Sequence, residues 1–226
     1  MLTNDKRIRV ITGHYGSGKS EFALNYVLKL REQVEGKVAL SDLDVVNVYF
    51  RTREKKDMLE AKGIKVISSS VNTPSVDIPA LSGEITVPMT HDDYDYVIDL
   101  GGDKVGATVI GSFRHMMKDD DYDMFFILNA NRERTQTAQE AAEFIDEIES
   151  VSRLKVTGIV NNTHMLKSTT VEDVLHGQEV AKELSELKNI PIRYVSCLES
   201  LVDKLPDDLE GEVIPINLQL REDWML

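Results

Sequence analysis

Residues 10–22 read VITGHYGSGKSEF, and within them Gly13, Gly18, Lys19 and Ser20 satisfy G-x-x-x-x-G-K-[ST]. Each position has a physical reason. Glycines let backbone N–H groups turn inward around a phosphate with no Cβ in the way, which makes an anion nest. A helix starting near Gly18 adds the positive end of its dipole. Lys19 can then reach the β and γ oxygens, and the Ser20 hydroxyl can join a Mg²⁺ shell. The flanks agree, because IRVIT reads as a strand and SEFALNYVLKL as a helix, a setting that a chance match would lack. Gly13, His14, Gly16, Ser17, Gly18, Lys19, Ser20 and Glu21 are therefore expected to bind the nucleotide.

Outward from the loop, short apolar runs alternate with longer helical patterns. RIRVIT, KVALSDL, IKVISSS, YDYVIDL, MFFILNA, VTGIVNN, IRYVSC and EVIPINL read as strands, several nearly continuous in apolar residues, as in strands covered on both faces. Between the strands, TAQEAAEFIDEIESV places Ala138, Ala141, Ala142, Ile145 and Ile148 at helical spacing with glutamates opposite. This alternation predicts a single α/β domain over 1–226: a doubly wound, mainly parallel sheet with helices on both faces, the P-loop NTPase arrangement. The least regular stretch, 71–93, carries three prolines and a central glycine and reads as a long surface loop, either a lid or a disordered excursion.

A phosphate loop needs carboxylates for its metal and its attacking water, placed where parallel strands end. VALSDLDVVN supplies Asp42 and Asp44, two apart and hence on one side of a strand, and YDYVIDLGGD supplies Asp99 before Gly101 and Gly102. Asp103 suits a helix N-cap.

Taken in order, GHYGSGKS, SDLDVVN, VIDLGG and GIVNN resemble the MinD/ParA-type, deviant Walker A (SIMIBI) P-loop ATPases. That class includes nitrogenase iron protein, the nickel-insertion ATPases and the CobQ/CobB group. The resemblance covers residues 8 to about 200 through four short motifs. It implies Lys19 on the β/γ-phosphates, Ser20, Asp42 and Asp99 around Mg²⁺, Asp44 orienting the hydrolytic water, Gly101–Gly102 opening switch II, and Asn162 on the adenine. One position departs from the pattern. The class carries a second lysine just after the first glycine, which reaches across a dimer, and here that residue is His14. A neutral imidazole cannot offset γ-phosphate charge as an ammonium does. Either hydrolysis is slow or another cation acts in trans. Arg51 and Arg53 are candidates for such a finger, with a solvated helix face as the alternative. Guanine readers use Asn-Lys-x-Asp, and the equivalent strand end reads NNTH without the acid, so ATP is favoured over GTP.

Composition narrows the partners. Net charge is -13, from 26 Lys+Arg against 39 Asp+Glu, and no long cationic run offsets it, so nucleic acid and anionic lipid are not expected to bind. The amino-terminal MLTNDKRIRV lacks a signal-peptide core, no window approaches a membrane span, and LREDWML is no basic amphipathic tail, so a cytoplasmic protein is expected. Cys197, the only cysteine, and Met116–Met117 suit buried positions. His91, His115 and His176 have no metal-like spacing, and His164 is either a loop histidine or a contact to base or ribose.

Three functions fit. The first is a slow ATPase that switches with ATP and Mg²⁺ into a homodimer or a client complex and resets through Lys19 and Asp44. The second is an ATP-dependent small-molecule kinase or a ligase of the dethiobiotin-synthetase type, with Arg114, Arg132 and Arg134 receiving an anionic substrate unless NANRER is merely a solvated loop. The third is a non-catalytic ATP-binding module.

Overall fold

The computed structural model describes residues 1–43, 55–68, 83–118 and 120–220. Asp44, Arg51, Arg53 and the 71–82 part of the expected loop lie outside them. Eight strands form one sheet: β1 (Ile8–Thr12), β2 (Lys37–Leu43), β3 (Ile64–Ser68), β4 (Tyr94–Leu100), β5 (Tyr122–Leu128), β6 (Gly158–Asn161), β7 (Ile192–Leu198) and β8 (Glu212–Ile216). Their order across the sheet is β3-β2-β4-β1-β5-β6-β7-β8, and every neighbouring pair is parallel. The apolar runs are nearly continuous because both faces are covered.

Helices α1 (Lys19–Gln33) and α2 (Lys56–Ala61) pack on one face with Ile11, Leu40, Val97 and Ile127. On the other face, α3 (Thr86–Thr90), α4 (Lys104–Ser112), α5 (Ala138–Ser152) and α6 (Val171–Lys188) cover Val10, Ile98, Phe126 and Ile159. Adjacent strand residues thus feed opposite cores, as the two-residue repeat of a strand requires. The expected alanine and isoleucine stripe of α5 is buried as read, and a capping box between Thr137 and Glu140 starts that helix.

The 71–93 stretch is not irregular throughout. Residues Gly83–Ile85 form a 3₁₀ turn that runs into α3, and Ile85, Pro88 and Met89 are buried. Two apolar residues four apart, Ile85 and Met89, give that part a core-facing side which the prolines disguise in the sequence.

At the amino ends of the strands a polar knot ties the fold together. Buried Asp5 accepts hydrogen bonds from the Tyr26 hydroxyl at 2.5 Å, from the Tyr194 hydroxyl and from Arg193. Buried Arg9 donates to Asp95 at 2.5 Å and to the Arg7 carbonyl at 2.9 Å. The opposite, carboxyl edge of the sheet is left for the phosphate loop. Among the described residues no helix is long and apolar enough to cross a membrane.

Candidate nucleotide site

β1 sits in mid-sheet with β4 on one side and β5 on the other, so the loop leaving it opens where strand connections diverge, the place where open α/β sheets bind ligands. Within the loop, Gly16 and Gly18 have φ of 79° and 85°, a left-handed backbone that side chains resist. Gly18 is also the N-cap of α1 and supplies no side-chain hydrogen bond, which leaves the first-turn amides for an anion. The Ser17 amide donates to the His14 carbonyl at 3.0 Å and closes the turn. Gly13 is required for space, since a Cβ there would lie 2.6 Å from the Ile127 carbonyl oxygen of β5. A Cβ on Gly102 would run into the Gly13 carbonyl, so the Gly101–Gly102 step packs directly on the phosphate loop. Lys19 and Ser20 are both buried at the start of α1.

Asp42 and Asp99 stand at the carboxyl ends of their strands. Register pairs Asp42 of β2 with Asp99 of β4, and Asp99 with Ile11 of β1. Two residues earlier on each strand, Leu40 and Val97 belong to the α1-side core, so both carboxylates point to the side of the sheet that carries Lys19 and Ser20. Both are buried, Asp99 completely. Two buried carboxylates abreast require a nearby cation, because each alone would be costly to desolvate. A Mg²⁺ ion suits this set: it keeps several waters and takes one or two carboxylates together with phosphate oxygens. Asp103 caps α4 by accepting from the Gly106 amide at 2.8 Å, as its position suggested.

His14 is half-buried and meets the Phe144 ring of α5 edge-on, with centroids 5.4 Å apart. Burial pushes its pKa below the ordinary histidine value, and a weaker repulsion from Arg134 acts the same way. That shift favours the neutral ring, in contrast to the ammonium at the matching position of the resembled class. His14 thus packs against α5 from within the loop, while the cavity beside the loop is lined by Tyr15, Gly16 and Gly18.

That cavity, of about 310 Å³, runs from Gly18, Lys19 and Ser20 to a wall that three segments build together with Arg132. The first segment follows β6. Asn162 is buried and its Nδ2 donates to the Ser17 carbonyl at 2.7 Å, while Oδ1 has no partner among the described residues. The neighbouring Asn161 points elsewhere, donating to the Val174 carbonyl at 2.9 Å and to Gln178 at 3.1 Å, so only one of the two asparagines belongs to the site. His164 also lines the cavity, and its Nδ1 accepts from the Leu166 amide at 3.2 Å, which leaves the proton on Nε2. The second segment is the end of β7, where Ser196 and Cys197 reach the wall. The third is the carboxyl-terminal stretch, which brings Leu218 and Leu220. It is strapped to α1: the Glu21 carboxylate accepts from the amides of Gln219 at 2.6 Å and Leu220 at 3.1 Å. Asn25 and the Asn217 backbone exchange a reciprocal pair of bonds at 2.9 and 3.0 Å.

The arginines after β4 and β5 divide. Arg114 donates to the carbonyls of Met117 and Arg153, and Arg134 pairs with Glu147 at 2.9 Å over the Phe144 ring. Both are committed to the scaffold. Arg132 alone of the three lines the cavity, with Nε donating to the Gly16 carbonyl at 3.1 Å. Arg132, Ser196, Cys197 and the carboxyl-terminal wall follow no motif. They enter the site only because the sheet order brings the ends of β5, β7 and β8 beside the loop after β1.

No family model matches the chain, and no curated protein does. Among solved structures it is similar to FtsY of Mycoplasma mycoides, with a TM-score of 0.55, 18% identity, and coverage of 85% of this chain and 61% of that one. The signal recognition particle receptor FtsY of Elizabethkingia anophelis gives a TM-score of 0.53 and 18% identity, covering 95% and 62%. Chloroplast FtsY of Physcomitrella patens gives 0.55 and 14%, covering 83% and 57%. The fold is that of the P-loop NTPases. At these identities the likeness extends to architecture, and the chain spans about 60% of the length of these neighbours. Within that P-loop NTPase fold, Gly13–Ser20, Asp42 and Asp99 occupy one connected region at the carboxyl ends of the strands.

Proposed function

We propose that the protein is a Mg²⁺-dependent ATP-binding switch of the MinD/ParA kind that hydrolyses ATP slowly. The observation that carries this is the conjunction at the end of β1: left-handed Gly16 and Gly18, buried Lys19 and Ser20, and the Asp42–Asp99 pair on the same side of the sheet. The phosphates lie in the nest with Lys19 on the β/γ oxygens, and Ser20, Asp42 and Asp99 serve the metal. Bound Mg²⁺ supplies charge neutralisation for the developing negative charge on the transferred phosphoryl group. Asp44 orients the attacking water. Adenine is preferred because Asn162 spends its Nδ2 on Ser17 and offers an acceptor, Oδ1, which suits the adenine 6-amino group and opposes the guanine carbonyl. Nucleotide-dependent association with a second copy or a client would follow from contacts between the γ-phosphate and the segment after Asp99. With neutral, Phe144-packed His14 in place of the class lysine, turnover is slow. The kinase or ligase alternative loses ground because Arg114 and Arg134 are tied into the scaffold. A protein of this fold, FtsY of Elizabethkingia anophelis, has been solved with GDP, which supports a nucleotide in general and leaves the base to be tested.

The test is calorimetry with Mg·ATP and Mg·GTP, followed by chromatography of the wild type and Asp44→Ala with and without Mg·ATP. Tighter ATP than GTP binding, lost in Lys19→Ala, and ATP-dependent association in Asp44→Ala are expected. Tighter GTP binding would overturn the base assignment, and an unchanged monomer whose turnover rises with one metabolite would overturn the switch.

A further inference from the structure

Resting on the nucleotide assignment above, we infer that Arg132 and Ser196 clamp the purine ring, Arg132 covering one face and Ser196 meeting an edge. No motif in the chain assigns either residue to a base.

The turn that carries Arg132 is braced. Thr135 Oγ1 donates to the Asn129 carbonyl at 2.8 Å, the Asn131 amide donates to Asn129 Oδ1 at 3.0 Å, and Asn131 Nδ2 reaches Asp173 on α6 at 2.9 Å. From this turn Arg132 crosses to the phosphate loop, where Nε is held by the Gly16 carbonyl. The terminal nitrogens have no partner among the described residues, and no carboxylate there pairs with the side chain. A guanidinium fixed at one end over a cavity, with its charge unspent, is a planar cation suited to an aromatic face. The carboxyl-terminal segment brings apolar Leu218 and Leu220 to the same cavity, so a ring held there has a charged lid and an apolar wall.

Ser196 supplies the independent observation. Strand alternation places it on the α1 face, two residues beyond Tyr194, which packs in the α1-side core. It is buried and lines the cavity, yet Oγ has no hydrogen-bond partner among the described residues. A buried hydroxyl without a partner costs folding free energy, and a ring nitrogen or exocyclic amine reaching the cavity floor would satisfy it. The hydroxyl both donates and accepts, so it completes a purine edge that Asn162 has already selected.

The experiment compares Mg·ATP with inorganic tripolyphosphate, also with Mg²⁺, by calorimetry on the full chain, in wild type, Arg132→Ala and Ser196→Ala. Thermal unfolding without ligand is measured alongside. Arg132→Ala is expected to weaken ATP about tenfold, as loss of one stacking partner does, and to weaken tripolyphosphate clearly less. Ser196→Ala is expected to weaken ATP about fivefold while the ligand-free melting temperature stays level or rises, because an unsatisfied hydroxyl has been removed. If Arg132→Ala weakens both ligands equally, Arg132 is a phosphate contact and the clamp is wrong. It is equally wrong if neither variant changes ATP binding, or if Ser196→Ala lowers the ligand-free melting temperature in step with affinity. Wild type that binds ATP and tripolyphosphate equally removes the clamp but keeps the phosphate loop. Wild type that binds neither removes the nucleotide assignment itself.

Discussion

Lys19 is a charge in a buried position at the start of α1, and its replacement removes the proposed phosphate contact. Lys19→Ala is expected to cost about 2–3 kcal/mol of Mg·ATP affinity, roughly 30- to 150-fold, the worth of a charge-assisted hydrogen bond, as read by calorimetry. Asp99→Asn keeps the shape and removes the charge, so it should weaken ATP in the presence of Mg²⁺ and leave metal-free ATP binding unchanged or tighter. Equal losses in both conditions would place Asp99 outside the metal's shell. His14 makes a pH prediction. Its pKa is lowered in the folded protein, chiefly by desolvation, so below the ordinary histidine value of 6.5 the unfolded chain takes up the proton first. Stability from His14 is fully present above that value and is lost as pH falls through the window down to the folded pKa. Thermal melts between pH 7.5 and pH 5 should show a steeper decline for wild type than for His14→Gln; parallel curves would remove the claim.

At the scale of elements, α1 does two things at once. Its first turn borders the proposed phosphate site, and its Glu21 and Asn25 hold the carboxyl-terminal stretch that walls the cavity. Asn25→Ala leaves the Asn217 amide and carbonyl without their partners. It should therefore destabilise the fold by about 2 kcal/mol in urea unfolding and weaken ATP more than tripolyphosphate. Gly102 is the other hinge of elements. A methyl group there would press on the Gly13 carbonyl, so Gly102→Ala is expected to cost about 1–3 kcal/mol and to abolish the loop's geometry for phosphate. The segment before β4 shows where pattern reading failed. Three prolines and a glycine outweigh a short Ile85–Met89 pair in any sequence window, yet in the fold those two residues find the core beneath α3.

For the whole molecule, chemistry and anchorage sit at opposite edges of one sheet. Asp5 gathers α1, β7 and the amino-terminal segment through Tyr26, Tyr194 and Arg193, far from the phosphate loop along the strands. Asp5→Ala would leave two buried tyrosine hydroxyls and the partly exposed Arg193 without their acceptor, at a cost of about 2–3 kcal/mol in urea unfolding. Because the knot lies at the amino ends, ATP affinity measured where the variant remains folded should be unchanged. A matching loss of affinity would mean that the two edges are coupled.

The sequence by itself determined the eight strands, the parallel sheet, the phosphate loop and the acids Asp42 and Asp99, because each is written in local spacing: two residues for a strand, eight for the loop, an acid at the end of an apolar run. It also separated Asp103 as a cap. Tertiary structure alone decided that Asn162 bonds to the Ser17 carbonyl, that Arg132 turns to Gly16 while Arg134 turns to Glu147, and that Ser196 and Leu218 share a cavity with Lys19. Those choices depend on strand order. A sheet in which β1 lies between β4 and β5 gathers residues more than a hundred positions apart, and no local window of sequence contains that distance.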